Sequence, residues 1–275
     1  MFRIPVGNVF ADIIDWLSVT FRDFFDAVRT AVNSIVNAVE WLLELLPFWG
    51  FAIIIAIAAY FLSGKGMAVF SAIGILLIGS MDLWSETVST LALIITATLI
   101  SLLIGIPVGI LSAKSTLMNR IMRPMLDFMQ TMPAFVYLIP AVFFFRIGVV
   151  PAAIATVIFS MPPAIRLTNL GIRQVPEELI EAGQAFGSDW KQMLFKIQLP
   201  QAMPTIMAGI NQCIMLSLSM VVIASMIGGG GLGDIVLTGI TSLDVGKGFE
   251  GGLAVVIIAI ILDRLTQGKG QKRRA

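Results

Sequence analysis

The amino-acid sequence predicts an all-α integral membrane protein with about seven transmembrane helices. Three observations lead there. Of 275 residues, 57% are hydrophobic and only 13% are charged, against about 25% charged in a soluble domain; mean hydropathy is +0.94. Several apolar runs approach the about 17–25 residues that a helix needs to cross a bilayer. Lysines and arginines fall unevenly on the connections between those runs.

In chain order, residues 1–47 form a helical region that is amphipathic rather than spanning. Ile13, Ile14, Leu17, Phe21, Phe24, Phe25 and Val28 recur at helical spacing, with Asp12, Asp15, Asp23 and Asp26 between them. No basic start, apolar stretch and small-residue cleavage site occur together, so a signal peptide is not expected. Such a helix can lie on the outer membrane surface or brace the rest of the protein. Its acidity favours the brace.

Residues 48–267 are the transmembrane domain. Its expected crossings are Phe48–Leu62, Met67–Met81, Thr87–Ala113, Met125–Phe145, Ile147–Ile165, Ala202–Ile227 and Gly251–Leu262, the last extended by Asp263 and Arg264. Thr87–Ala113 is the clearest, since it holds no charged residue. Gly64, Gly66 and Pro151 punctuate between neighbours. An odd number of crossings puts the termini on opposite sides, and Lys/Arg asymmetry sets the orientation. With the loop 174–204 and the basic tail 268–275 cytoplasmic, only Arg3, Arg22, Arg29, Arg146 and Lys247 of the 18 Lys and Arg lie outside, together with most of the 17 acidic residues. The N-terminal region is then external.

Several kinds of chemistry are excluded. There is no histidine, which removes imidazole acid–base catalysis, Ser-His-Asp triads and most transition-metal sites. Cys213 is alone in an apolar run, so no internal disulfide or cysteine-rich metal site can form. The basic stretch Lys269–Arg274 is too short for a nucleic-acid module, and no nucleic-acid partner is expected.

The loop 174–204 is the informative connection. Pro176 suits a first helical position, and Glu177 and Glu178 suit the first turn, where the helix dipole favours negative charge. Gly187 suits the left-handed residue that ends a helix, and Ser188 or Asp189 can cap the next. Trp190, Leu194 and Ile197 are spaced to share a face, with Pro200 and Pro204 expected to end that helix. The expectation is a compact helix–turn–helix knob able to dock on a partner. The bland alternative is an amphipathic pair resting on the membrane.

Glu181-Ala182-Gly183, then Gly187, then Ile197-Gln198-Leu199-Pro200 follow the pattern E-A-(A/G)-x3-G-x9-I-x-L-P. The pattern resembles the cytoplasmic EAA loop of ABC-importer permeases, in which the loop grips the ATP-hydrolysing subunit. The resemblance makes Glu181, Ala182 and Gly187 the docking core and Ile197, Leu199 and Pro200 its support. One departure is Gly183, where the family carries a second alanine; glycine costs up to about 1 kcal/mol of helix stability but permits closer backbone approach.

Further stretches, Leu126–Pro133, Pro162–Arg166, Ala208–Gln212, Ser219–Ala224 and Ile261–Gln267, are similar to the glycine betaine/proline betaine importer permeases, so that the match runs from about Trp84 to Gln267. That resemblance implies the type I ABC-importer permease fold and a bacterial plasma-membrane location. It also implies a homodimer working with a cytoplasmic ABC ATPase and an external substrate-binding protein. No cofactor would sit in this chain, ATP and Mg²⁺ belonging to the ATPase. Betaine is zwitterionic, so a path for it should avoid strong charge of one sign. Gln130, Thr131, Asn211, Gln212, Ser217 and Ser219 are the polar candidates for that path, or else bonds between neighbouring helices. Phe135, Tyr137 and Phe143–Phe145 could suggest an aromatic cage for a quaternary ammonium, but a lipid-facing or core role fits them better. Gly228-Gly229-Gly230-Gly231-Leu232-Gly233-Asp234 lacks the Gly-Lys-Ser/Thr ending of a phosphate loop; it reads as a tight external re-entry turn. Two rivals remain. A secondary transporter or channel usually has ionisable groups in its crossings, of which this chain has almost none. A membrane scaffold would use the knob for a different partner.

Overall fold

The computed structural model describes residues 6–271, and all regular structure among them is helical. The last residues of the expected basic tail, 272–275, lie outside the described range. Helices are named α1 (Val6–Thr20), α2 (Arg22–Glu44), α3 (Phe48–Ser63), α4 (Lys65–Ser80), α5 (Trp84–Lys114), α6 (Thr116–Thr131), α7 (Ala134–Phe145), α8 (Val149–Arg173), α9 (Glu177–Ala185), α10 (Trp190–Gln192), α11 (Leu199–Ala224), α12 (Leu232–Thr241) and α13 (Val245–Gln271).

Four helical runs among the described residues are long and apolar enough to cross a membrane: α5, α8, the continuous run Trp190–Ile227, and Val245–Gln267. Counting each of two bent pairs as one span raises the number to six, against the about seven expected. The expected crossings Phe48–Leu62 and Met67–Met81 appear as α3 and α4, each 16 residues long. At 1.5 Å per residue each is about 24 Å, short of the about 30 Å hydrocarbon core. Gly64, at φ +98°, folds the two into a hairpin, and Ser63 Oγ donates to the Arg264 carbonyl at 2.7 Å, tying it to α13.

The other departure concerns Met125–Phe145, expected as one crossing. It is broken at Met132–Pro133, and α6 and α7 meet at 101°. Proline removes an amide donor and pushes the residue before it out of the helical region; Met132 is accordingly extended, with ψ 134°. The Tyr137 hydroxyl donates to the Met129 carbonyl, one of the carbonyls freed at the break.

At the centre, α8 packs between α5 and α11. Small residues set the spacing. A methyl group on Gly109 of α5 would lie 2.8 Å from the Ile165 carbonyl oxygen of α8, so α5 and α8 approach through backbone rather than side chains. The interface carries buried hydroxyls: Ser101 and Ser160 lie 3.0 Å apart, and Thr98 donates to Ser217 of α11 at 3.2 Å. In an apolar surround such pairs hold helices together at low cost. A second core, built on Ile75, Ile78, Leu93, Ile94, Ile257 and Ile258, joins α4, α5 and α13.

The amphipathic N-terminal region is two helices that meet at Phe21, and α2 takes the bracing position. It turns 93° away from α3. Val32 and Val36 are buried against Ala92 near the start of α5 and Val150 and Ala153 near the start of α8. Phe25 stacks on Phe144 with ring centres 4.5 Å apart, and Ser89 donates to the Glu40 carboxylate. Thus α2 lies across the N-terminal ends of α5 and α8. The loop 174–204 leaves from their opposite end.

Candidate coupling site and polar face

The loop after α8 folds into a rigid unit, and each joint has a local cause. Pro176 is the residue before α9, with ψ 136°, rather than its first helical residue as the sequence suggested. Glu177 and Glu178 follow in the first turn. At the other end of α9, Gly187 adopts φ +75°. Its amide donates to the Gln184 carbonyl at 2.9 Å, and the Ser188 amide donates to the Gly183 carbonyl at 3.0 Å. Those two bonds are the paired closure that ends many helices with a left-handed glycine. A methyl at Gly187 would meet nothing within 4 Å, so the requirement for glycine there is conformational alone.

Asp189 starts the next helix. Its carboxylate accepts from the Gln192 amide at 2.7 Å, and the Gln192 side chain accepts from the Asp189 amide at 3.1 Å. That reciprocal pair satisfies two donors that a helix start otherwise leaves free. Residues Met193–Gln198 then form a π-helical segment that runs straight into α11. Two expectations fail here. Pro200 and Pro204 end no helix: Pro200 lies in the first turn of α11, where a missing amide donor is tolerated, and Pro204 is carried inside it. Trp190 does not share a buried face with Leu194 and Ile197. It is 64% exposed, because the wider π turn shifts the angular register of the residues after it. Its ring instead lies under Lys114 at the end of α5, with Nζ 4.5 Å from the ring centre.

The expected docking residues separate into two sets. Gly183, Ile197 and Leu199 form the inner seam: a methyl on Gly183 would lie 2.6 Å from Ile197 Cδ1 and 2.8 Å from Met193 Cε. The departure from alanine therefore has a steric reason, the close approach of α9 to the π segment. Leu199 packs against the cluster of Ile172, Leu194, Ala202 and Ile206 that joins the unit to α8 and α11. Glu181, Ala182, Gly187 and Pro200 lie on the exposed side. Beside them stand Phe186, 91% exposed, and Phe195, 63% exposed, neither singled out from sequence. Both are large apolar groups left uncovered on a capped projection. Phe186 was legible as the residue before a helix-ending glycine, and the capping box as Asp-x-x-Gln; the role of Met193 depends on the π turn and was not legible.

The polar candidates also separate. Gln212 and Ser219 lie on an exposed stripe of α11 with Ala208 and Met215, and Gln130 and Thr131 are exposed at the end of α6. Ser217 is fully buried and bonded to Thr98, which is the helix-packing alternative. Asn211 is half-buried, and its Oδ1 has no hydrogen-bond partner among the described residues. The glycine run lies at the far end from α9: Gly228, Gly230 and Gly231 have φ of +78°, +76° and +73°. The chain turns there into the bundle, and the Leu232 amide donates to Thr90 Oγ1 of α5 at 2.8 Å. The tight turn read from the sequence is present, and it serves to seat α12.

The fold is an all-helical membrane bundle that carries a capped projection at one end. Residues 105–268 match the family described as binding-protein-dependent transport system inner membrane component, and the chain belongs to that family. It is 50% identical over 273 residues to the glycine betaine transport system permease protein OpuAB of Bacillus subtilis (strain 168), covering 99% of this chain and 97% of that one. It is 52% identical over 272 residues to the glycine betaine/proline betaine transport system permease protein ProW of Escherichia coli (strain K12), covering 99% of this chain and 77% of that one. Among solved structures, the inward-facing MetNI methionine ABC transporter superposes with a TM-score of 0.59 at 22% identity, over 67% of this chain and 91% of that one. That likeness establishes a shared fold.

Proposed function

We propose that this chain is the membrane-spanning subunit of an ATP-driven importer of glycine betaine or a related quaternary-ammonium solute. The observation that carries the solute is the identity of about half, over nearly the whole chain, with permeases named for glycine betaine. The observation that carries the energy source is the unit Glu177–Gln198, rigid by its caps and exposed at Glu181, Ala182 and Phe186. It is suited to a groove on an ATPase, which would hold ATP and Mg²⁺ outside this chain.

The orientation follows. With this unit cytoplasmic, α2 and the glycine turn fall at the external end, where a substrate-binding protein would approach, and the C-terminus is cytoplasmic. The N-terminal region is then an external brace. The exposed polar stripe of α11 with Gln130 and Thr131 is the surface for a second copy and for the path between the copies. ATP binding would favour one arrangement of the two permeases and hydrolysis the other, a shift limited by the difference in affinity between the states.

The test is ATP-dependent uptake of labelled glycine betaine into vesicles holding this chain, its ATPase and its binding protein, each omitted in turn. Uptake that requires all three is expected. Uptake by this chain alone would overturn the ATP-driven reading, and ATP hydrolysis by the full set without betaine uptake would overturn the solute.

A further inference from the structure

We propose that the groove between α6 and the last turns of α8 binds the headgroup of an anionic phospholipid. The groove encloses about 310 Å³, within the range of small-ligand sites. Arg123, Arg166 and Arg173 line it together with a single acidic group, Asp127. Arg166 donates to Asp127 at 2.7 Å. Arg173 is held by the Asn169 side chain and the Ser112 carbonyl, each at 2.9 Å. Arg123 is exposed and has no partner among the described residues. Three guanidinium groups against one carboxylate leave a net positive site with unused donors, and guanidinium forks match phosphate oxygens two at a time.

Lipid rather than a soluble anion follows from the helix that carries Arg123. The buried stripe of α6 is Asn119, Met122, Leu126 and Met129. Beside it runs a second apolar stripe, Leu117, Ile121, Met125 and Phe128, each more than half exposed. A helix bent sharply from its successor, with one apolar stripe on the protein, another uncovered and arginines between them, suits the boundary between headgroups and acyl chains. Basic pockets between helices at that depth take acidic headgroups. The site lies at the end of α8 that leads into α9, so its occupancy would stiffen the base of the projecting unit. The inference uses the proposed orientation only to assign the leaflet, the cytoplasmic one.

The full chain in phosphatidylcholine nanodiscs would receive trace phosphatidylglycerol, or trace phosphatidylcholine, carrying a photoactivatable group at the head of one acyl chain. Labelled peptides would be read by mass spectrometry. Phosphatidylglycerol should label segments 116–131 and 166–173 in preference to the phosphatidylcholine probe. Arg123→Gln should reduce that labelling about five-fold, the weight of one arginine near a charged surface, and Arg123→Glu more. Excess inorganic phosphate should leave it unchanged. Equal labelling by the two probes, indifference to both substitutions, or no labelling of these segments would overturn the proposal. Displacement by phosphate would overturn the lipid and leave a free-anion site. Betaine uptake is a separate readout, so the proposal for the solute can fail without this one failing.

Discussion

Two connections in this molecule depend on glycine and use it in opposite ways. Between α9 and α10 the chain projects from the bundle, and Gly187 has open space where a side chain would be. Between α11 and α12 it turns back into the bundle, and a methyl on Gly231 would lie 2.3 Å from Thr90 Oγ1 and 3.1 Å from the Glu86 carbonyl oxygen. The first glycine supplies a left-handed backbone at an exposed surface. The second supplies a different positive-φ backbone, with ψ −157°, and also the room for an internal contact. A third, Gly183, is inside a helix and supplies room alone. Glycine in one sequence thus answers three separate demands, and substitution separates them.

The largest effect is expected at Gly231→Ala. It combines a positive-φ strain of about 1–3 kcal/mol with overlap on Thr90 that breaks the hydrogen bond from the Leu232 amide. A total loss of about 3 kcal/mol should appear as a marked fall in the thermal midpoint of the purified chain; an unchanged midpoint would remove the distinction drawn here. Gly187→Ala should cost only the strain, about 1–2 kcal/mol. Gly187→Trp should add little further instability and abolish co-purification with the ATPase, because its side chain enters the space the partner would occupy. Retained association and uptake would sink the docking role of this loop. Asp189→Ala removes the capping box and should cost about 1 kcal/mol, read as faster amide exchange confined to 189–198. The smallest effect belongs to Gly183→Ala. The obstructing atoms are the flexible ends of Ile197 and Met193, and helix propensity returns about 1 kcal/mol, so a midpoint shift near zero is expected. A loss as large as that at Gly231 would mean that the inner seam cannot relax.

Much of this was legible in advance because the forces involved are local. The Gly187 helix end and the Asp189 cap each depend on residues within five positions of one another. Amphipathic spacing made the N-terminal helices legible, but of the stripe it named Ile13, Phe21 and Phe24 are exposed, and the bracing contacts fall to Phe25, Val28, Val32 and Val36. The break between α6 and α7 was signalled by Pro133, yet the apolar run through Met125–Phe145 argued for a straight crossing, and hydropathy carries no information on direction. The π segment at Met193–Gln198 is a backbone choice set by the packing of Leu194 against Ile172 and Ile206. Those contacts are 20 or more positions away on one side, beyond the reach of a periodicity argument. Ser217 and Gln212 are alike as polar residues on one helix; only the position of Thr98 tells them apart.

The run from Trp190 to Ile227 holds 38 residues without an interruption, so it is about 57 Å long. One end carries part of the projecting surface and the other passes through the centre of the membrane to the glycine turn. The π segment Met193–Gln198 and Pro204 lie toward its projecting end, and α11 continues from there to Ala224 without a break. A tilt of only about 6° about one end would sweep the other through roughly 6 Å, comparable to one helical turn. Motion at the first end reaches the second to the degree that the π segment and Pro204 stay straight.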